Sequence, residues 1–205
     1  MKTSHQITFP KFTGVRCLMM PYIQGQPETV PQQYRTGYES IIESIFVKKG
    51  DIGYLTIDES VAIKDKPHRG ARAKFGRALH TEAGRHPDKV YAWGSGGGWG
   101  SSHRTILERG VKVLLANNVD KSCAIWETEH ENTSIDGDIG DLADQYPYSS
   151  AVLMGAGEVH EIGILTPHES LPVTHDVNRQ FLRIISAGVH GRELYFTENP
   201  LMLAA

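Results

Sequence analysis

The amino-acid sequence predicts a mainly β protein with one helix near its N-terminus, a β-sandwich or barrel with the helix packed on its outside. Three observations carry this reading. Beyond Gly50 the apolar runs are short, rich in β-branched and aromatic residues, and broken by glycine at intervals of about eight to twelve residues. Before them, a single stretch carries a clear helical stripe. Finally, 205 residues with 40% apolar and 22% charged content, no internal repeat and no dividing linker fit one domain over residues 1–205.

In chain order, Tyr34, Tyr38, Ile41, Ile42, Ile45 and Phe46 recur at helical spacing between Pro31 and Gly50, which predicts the N-terminal helix. Seven strands are expected at Tyr54 to Ile57, Lys89 to Trp93, Val111 to Ala116, Ser122 to Trp126, Ala151 to Met154, Val159 to Leu165 and Gln180 to Ser186. The stretch from Lys64 to Leu79 is basic and rich in turn formers where it begins, and periodicity assigns it no element. Apolar runs fall well short of a membrane span, and the N-terminus has no apolar stretch of signal-peptide length, so no membrane partner is expected. Cys17 and Cys123 form no pairing framework, which makes a reducing cytoplasm the expected compartment. Acidic residues (24) outnumber basic ones (21), which argues against obligatory binding along a nucleic-acid duplex.

Chemistry is sought among the 10 histidines, because imidazole is both a common metal ligand and a proton carrier. His5, His68, His130, His175 and His190 lie in polar or turn-like stretches and read as surface residues. His80 and Glu82 stand two apart, so on a strand they share a face and could grip one cation together. An imidazole nitrogen with a carboxylate oxygen suits Fe(II), Mn(II) or Zn(II). His168, held between Pro167 and Pro172 after an apolar strand, would complete a two-histidine, one-carboxylate facial triad. Arg179 follows eleven positions later, where a returning strand would aim its guanidinium at the same cavity to bind a carboxylate through both nitrogens. Arg183 has the same strand parity and would face inward with it.

The order His80-Thr81-Glu82, then His168, then Arg179 resembles the Fe(II)/2-oxoglutarate-dependent dioxygenase superfamily, whose pattern is H-x-D/E, a later histidine and a basic residue about ten positions on. Glu stands here where Asp is commoner. The resemblance spans roughly Tyr54 to Ser186. It implies a double-stranded β-helix (jelly-roll, cupin-like), Fe(II) bound by His80, Glu82 and His168, and 2-oxoglutarate as co-substrate. Arg179, with Arg183 beside it, would bind the far carboxylate of 2-oxoglutarate, and the activity implied is that of an oxidoreductase acting on an unidentified substrate.

Other assignments stay open at this stage. His86/Asp88 and His103 are rival proximal ligands, and His160 reads as a packing or supporting residue. Trp93 to Gly100 is glycine-rich but lacks the lysine of a phosphate loop, so it reads as a rim on which Trp93 or Trp99 could stack a planar substrate. The Asp136 to Asp141 cluster lacks the later glutamate of a calcium loop and reads as a solvated turn. The substrate is expected to be a small molecule or nucleotide-like; nucleic acid and the oligomeric state are left open. The alternatives are a cupin-like metalloprotein that does not use 2-oxoglutarate and a non-catalytic β-barrel binding module.

Overall fold

The computed structural model describes residues 2–68, 77–84, 92–93, 111–130, 137–186 and 196–202. Among these residues the chain is mainly β. The order is β1 (Lys2–Gln6), β2 (Arg16–Ile23), α1 (Gln32–Arg35), α2 (Glu39–Ser44), β3 (Ile52–Ala62), β4 (Ala83–Gly84), β5 (Ala92–Trp93), β6 (Lys112–Asn117), β7 (Cys123–Ile125), β8 (Val152–Leu153), β9 (Glu158–Gly163), β10 (His168–Ser170) and β11 (Val177–Ser186). A six-stranded antiparallel sheet runs β1-β9-β6-β11-β3-β2, and a three-stranded one runs β10-β7-β8. β4 and β5 pair separately.

The central strands β3, β6 and β11 are buried on both faces, which is why they read as apolar runs rather than clean alternation. On β11, Leu182 and Ile184 point outward to a core shared with Leu55, Ile57, Leu114, Ala116 and the helical segment. Their neighbours Phe181 and Ile185 point inward to a second core with Tyr54, Val113, Leu115, Ile125 and Met154, which fills the space towards the small sheet. A third cluster, Leu79, Ala124, Trp126, Ile139 and Tyr146, backs the small sheet. On β2 a bulge between Cys17 and Met20 holds Met19 at φ 47 and turns it into the inner core, while Cys17 and Met20 stay in the outer one.

The single helix expected from Tyr34 to Phe46 is not formed. Two short helices, α1 and α2, replace it, because Gly37 at φ +85 stops the first and the chain restarts at Tyr38. Tyr38, Ile41, Ile42 and Ile45 still pack on the outer core, whereas Phe46 is 37% exposed. The break is pinned from outside the segment, since a Cβ on Gly37 would come within 3.0 Å of Pro10 Cβ.

A buried carboxylate ties these pieces to the sheet. Glu59 on β3 accepts hydrogen bonds from the backbone of Thr13 (2.6 Å), Gly14 (2.6 Å) and Val15 (3.2 Å), from Tyr38 Oη (2.8 Å) and from Gln180 Nε2 (2.7 Å). Burial alone would raise its pKa, but these donors outweigh burial and lower it.

Candidate active site between the two sheets

The site begins with a backbone pairing. His80 N–H donates to His168 O (3.0 Å) and His168 N–H to His80 O (2.9 Å), the mutual exchange of an antiparallel pair, so the two side chains stand side by side. On the other edge of this segment, Thr81 N–H bonds Gly137 O and Ile139 N–H bonds Leu79 O. Behind the pair, Arg77 Nη2 lies 2.6 Å from Glu169 Oε2, and its guanidinium covers the Tyr148 ring at 4.3 Å. This clamp holds the His80 segment against β10 from the opposite face.

The two imidazole rings lie 4.3 Å apart between centroids. His80 Nδ1 is 2.7 Å from Ala78 O and His168 Nδ1 is 2.9 Å from Thr166 O. A carbonyl only accepts, so each Nδ1 carries a hydrogen, which leaves Nε2 as the ring atom that faces the cavity: it donates when the ring is protonated and offers a lone pair when the ring is neutral. Carbonyl-anchored imidazoles of this kind are oriented as metal ligands are. Glu82, two residues from His80, lies with Oε1 3.6 Å from His168 Nε2 and Oε2 2.8 Å from Arg183 Nη1. Burial would raise the Glu82 carboxyl, but Arg183, His168 and His80 outweigh it and hold it well below the usual carboxylate range. No three His, Cys, Asp or Glu side chains among the described residues already converge as a metal cage. The donor set itself fits a metal of the Fe(II) or Zn(II) class: two imidazole nitrogens and a carboxylate oxygen, with Arg183 holding the other oxygen.

All five residues singled out from the sequence line one cavity: His80, Glu82, His168, Arg179 and Arg183. Strand parity accounts for the arginines, because Arg179, Phe181 and Arg183 alternate with the outward Gln180 and Leu182. Arg179 is 2% exposed. Its Nη2 donates to Cys123 Sγ at 3.1 Å, its guanidinium stacks on Phe181, and its Nε has no partner. No carboxylate among the described residues pairs with it. Ser170 Oγ, on β10, is likewise buried without a partner. Sequence reasoning missed Cys123 and Ser170; only the register, which sets Ser170 opposite Cys123 beside the His168–Ile125 pair, brings them here.

Several histidines lie elsewhere. His160 is buried with its Nε2 3.2 Å from Glu158. The His68 side chain is buried beside Ser60 and Asp58 rather than solvated, because Pro67 bridges to Pro172 and draws the turn onto the sheet. His130 bonds Tyr146 Oη. Asp138 Oδ1 caps a turn by accepting Gly140 N–H. His86, Asp88, His103 and Trp99 lie outside the described residues, as do residues 69–76 of the Lys64 to Leu79 stretch.

No protein-family model, curated protein or solved structure matches the chain. No helix of the described residues is long and apolar enough to cross a membrane.

Proposed function

We propose that this protein is a non-haem Fe(II)/2-oxoglutarate-dependent oxygenase built on a double-stranded β-helix. The observation that carries the reading is Arg179, a buried guanidinium without a carboxylate partner among the described residues, in the same cavity as His80, Glu82 and His168. A buried cation left unpaired is costly, so the site is completed by an anionic ligand. A dicarboxylate that meets the metal at one end and Arg179 at the other satisfies both ends of the cavity.

The strand pairing supports the fold. Taking β3, the His80 segment, β6, β7, β8, β9, β10 and β11 as eight strands, the pairs β3·β11, His80·His168, β6·β9 and β7·β8 join first to eighth, second to seventh, third to sixth and fourth to fifth. That is the pattern of one long antiparallel hairpin wound into a jelly roll.

Fe(II) with 2-oxoglutarate supplies, when bound, an oxidant made from dioxygen with release of carbon dioxide. The residues of the chain hold and orient. His80 and His168 would offer Nε2 and Glu82 its Oε1, while Arg183 fixes the other carboxylate oxygen. Arg179 would grip the distal carboxylate, with Ser170 Oγ in reach of the same cavity wall. Leu115, Ile125, Met154 and Phe181 make the remaining walls apolar and exclude water from the reacting centre. The cavity is about 40 Å³ as it stands, so a five-carbon diacid enters by displacing the Arg179–Cys123 contact.

Anaerobic titration with Fe(II) and then 2-oxoglutarate tests the proposal. A weak visible charge-transfer band in the wild type, lost in His168→Ala and in Arg179→Ala, supports it. Absence of both the band and tight metal binding refutes it, and metal binding without 2-oxoglutarate favours a cupin-like metalloprotein.

A further inference from the structure

We propose that Cys123 is a peroxide-sensitive modification site whose oxidation closes the anion-binding end of the cavity. Its thiol receives the Arg179 Nη2 hydrogen at 3.1 Å and lines the cavity. The sulfur thus stands at the wall of a cavity beside a guanidinium, the kind of electropositive setting in which reactive cysteines are found. Two buried groups aimed into the same space lack partners, Arg179 Nε and Ser170 Oγ, and Ser170 is the cross-strand neighbour of Cys123. The cavity as it stands is about 40 Å³, space on the scale of water-sized molecules, and hydrogen peroxide is of that size.

In the reaction the Cys123 sulfur attacks one peroxide oxygen. The O–O bond breaks as the S–O bond forms, and the thiol proton leaves with the second oxygen as water. Sulfur is oxidised by two electrons to the sulfenic acid and peroxide is reduced to water. The new oxygen is an acceptor within reach of Arg179, where it takes the position a ligand carboxylate would occupy. The modification stands by itself; its effect on ligand binding rests on the carboxylate-anchor reading above.

The second cysteine is an internal reference. Cys17 lies under the outer core, with its thiol pushed up to about 12 chiefly by burial. The full chain, stripped of metal with a chelator, is treated with hydrogen peroxide, quenched, unfolded and alkylated, and the surviving thiol at each cysteine is measured by peptide mass spectrometry. Cys123 should be lost at least about tenfold faster than Cys17, and excess glutarate, a dicarboxylate inert to peroxide, should slow that loss several-fold. Equal rates, or a Cys123 that survives as well as Cys17, overturn the proposal. Selective loss that glutarate does not slow keeps the modification site and instead refutes Arg179 as a carboxylate anchor.

Discussion

Replacing Arg183 with methionine removes one half of a fully buried ion pair. Its Nη1 stands 2.8 Å from Glu82 Oε2, with side chains 5% and 4% exposed, so Arg183→Met strands a carboxylate with His168 Nε2 at 3.6 Å. Breaking such a pair from one side costs about 3–5 kcal/mol. At about 2–4 °C per kcal/mol for a chain of this size, the melting temperature should fall by roughly 6–20 °C. Thermal and urea melts at neutral pH on the wild type, Arg183→Met, Glu82→Gln and the double variant give the assay. Because the second change removes the stranded charge, the double variant should recover part of the loss, with a coupling of about 2 kcal/mol or more. Arg183→Met within about 1 kcal/mol of wild type, or two strictly additive changes, would show that water reaches the pair and refute a dry cavity.

Three further outcomes are expected. The Glu82 pKa is depressed on folding, so its stabilisation is complete above the unfolded carboxyl value of about 4.3 and is lost as the pH falls from there through the lower folded value; acid denaturation followed by circular dichroism should therefore be less steep in Glu82→Gln. Glu59→Ala leaves Tyr38 Oη and three backbone amides without their acceptor, while Gln180 Nε2 keeps Pro10 O at 3.0 Å, and should cost about 3–5 kcal/mol in urea melts, since each buried orphan costs about 1–3 kcal/mol and the outermost amides rehydrate. Gly37→Ala, forced to φ +85 with Pro10 3.0 Å from the new Cβ, should lose about 1–2 kcal/mol.

The parts of the site that follow from side-chain parity were legible in the sequence. His80 and Glu82 two apart, and Arg179 and Arg183 four apart, project to common faces whatever the detailed register, and the structure sets them in one cavity. Cys123 and Ser170 were not legible, because what places them is a cross-strand register between segments nearly fifty residues apart. β3, β6, β7, β8, β9 and β11 overlap short apolar runs and were visible for that reason, whereas β1 and β10 carry polar residues and no such run. β2 was not visible either, since Arg16–Ile23 carries three sulfur-containing residues and Pro21 in place of a β-branched run, and its bulge breaks the alternation. The helix was misread for a local reason. The apolar stripe is real, with Tyr34 partly buried and Tyr38, Ile41, Ile42 and Ile45 buried, but a glycine inside it takes a left-handed conformation that a stripe does not encode.

The mutual bonding of His80 with His168 also fixes when the site can exist. The two residues lie far apart in the chain, and their backbone amides satisfy one another, so closing this pair means closing a long loop, a late and entropically costly event in folding. A ribosome that has not yet reached β10 has made His80 and Glu82 but neither His168 nor the arginines of β11. Any ligand that needs both imidazoles therefore meets the pair only after β10 has been made and has paired with the His80 segment.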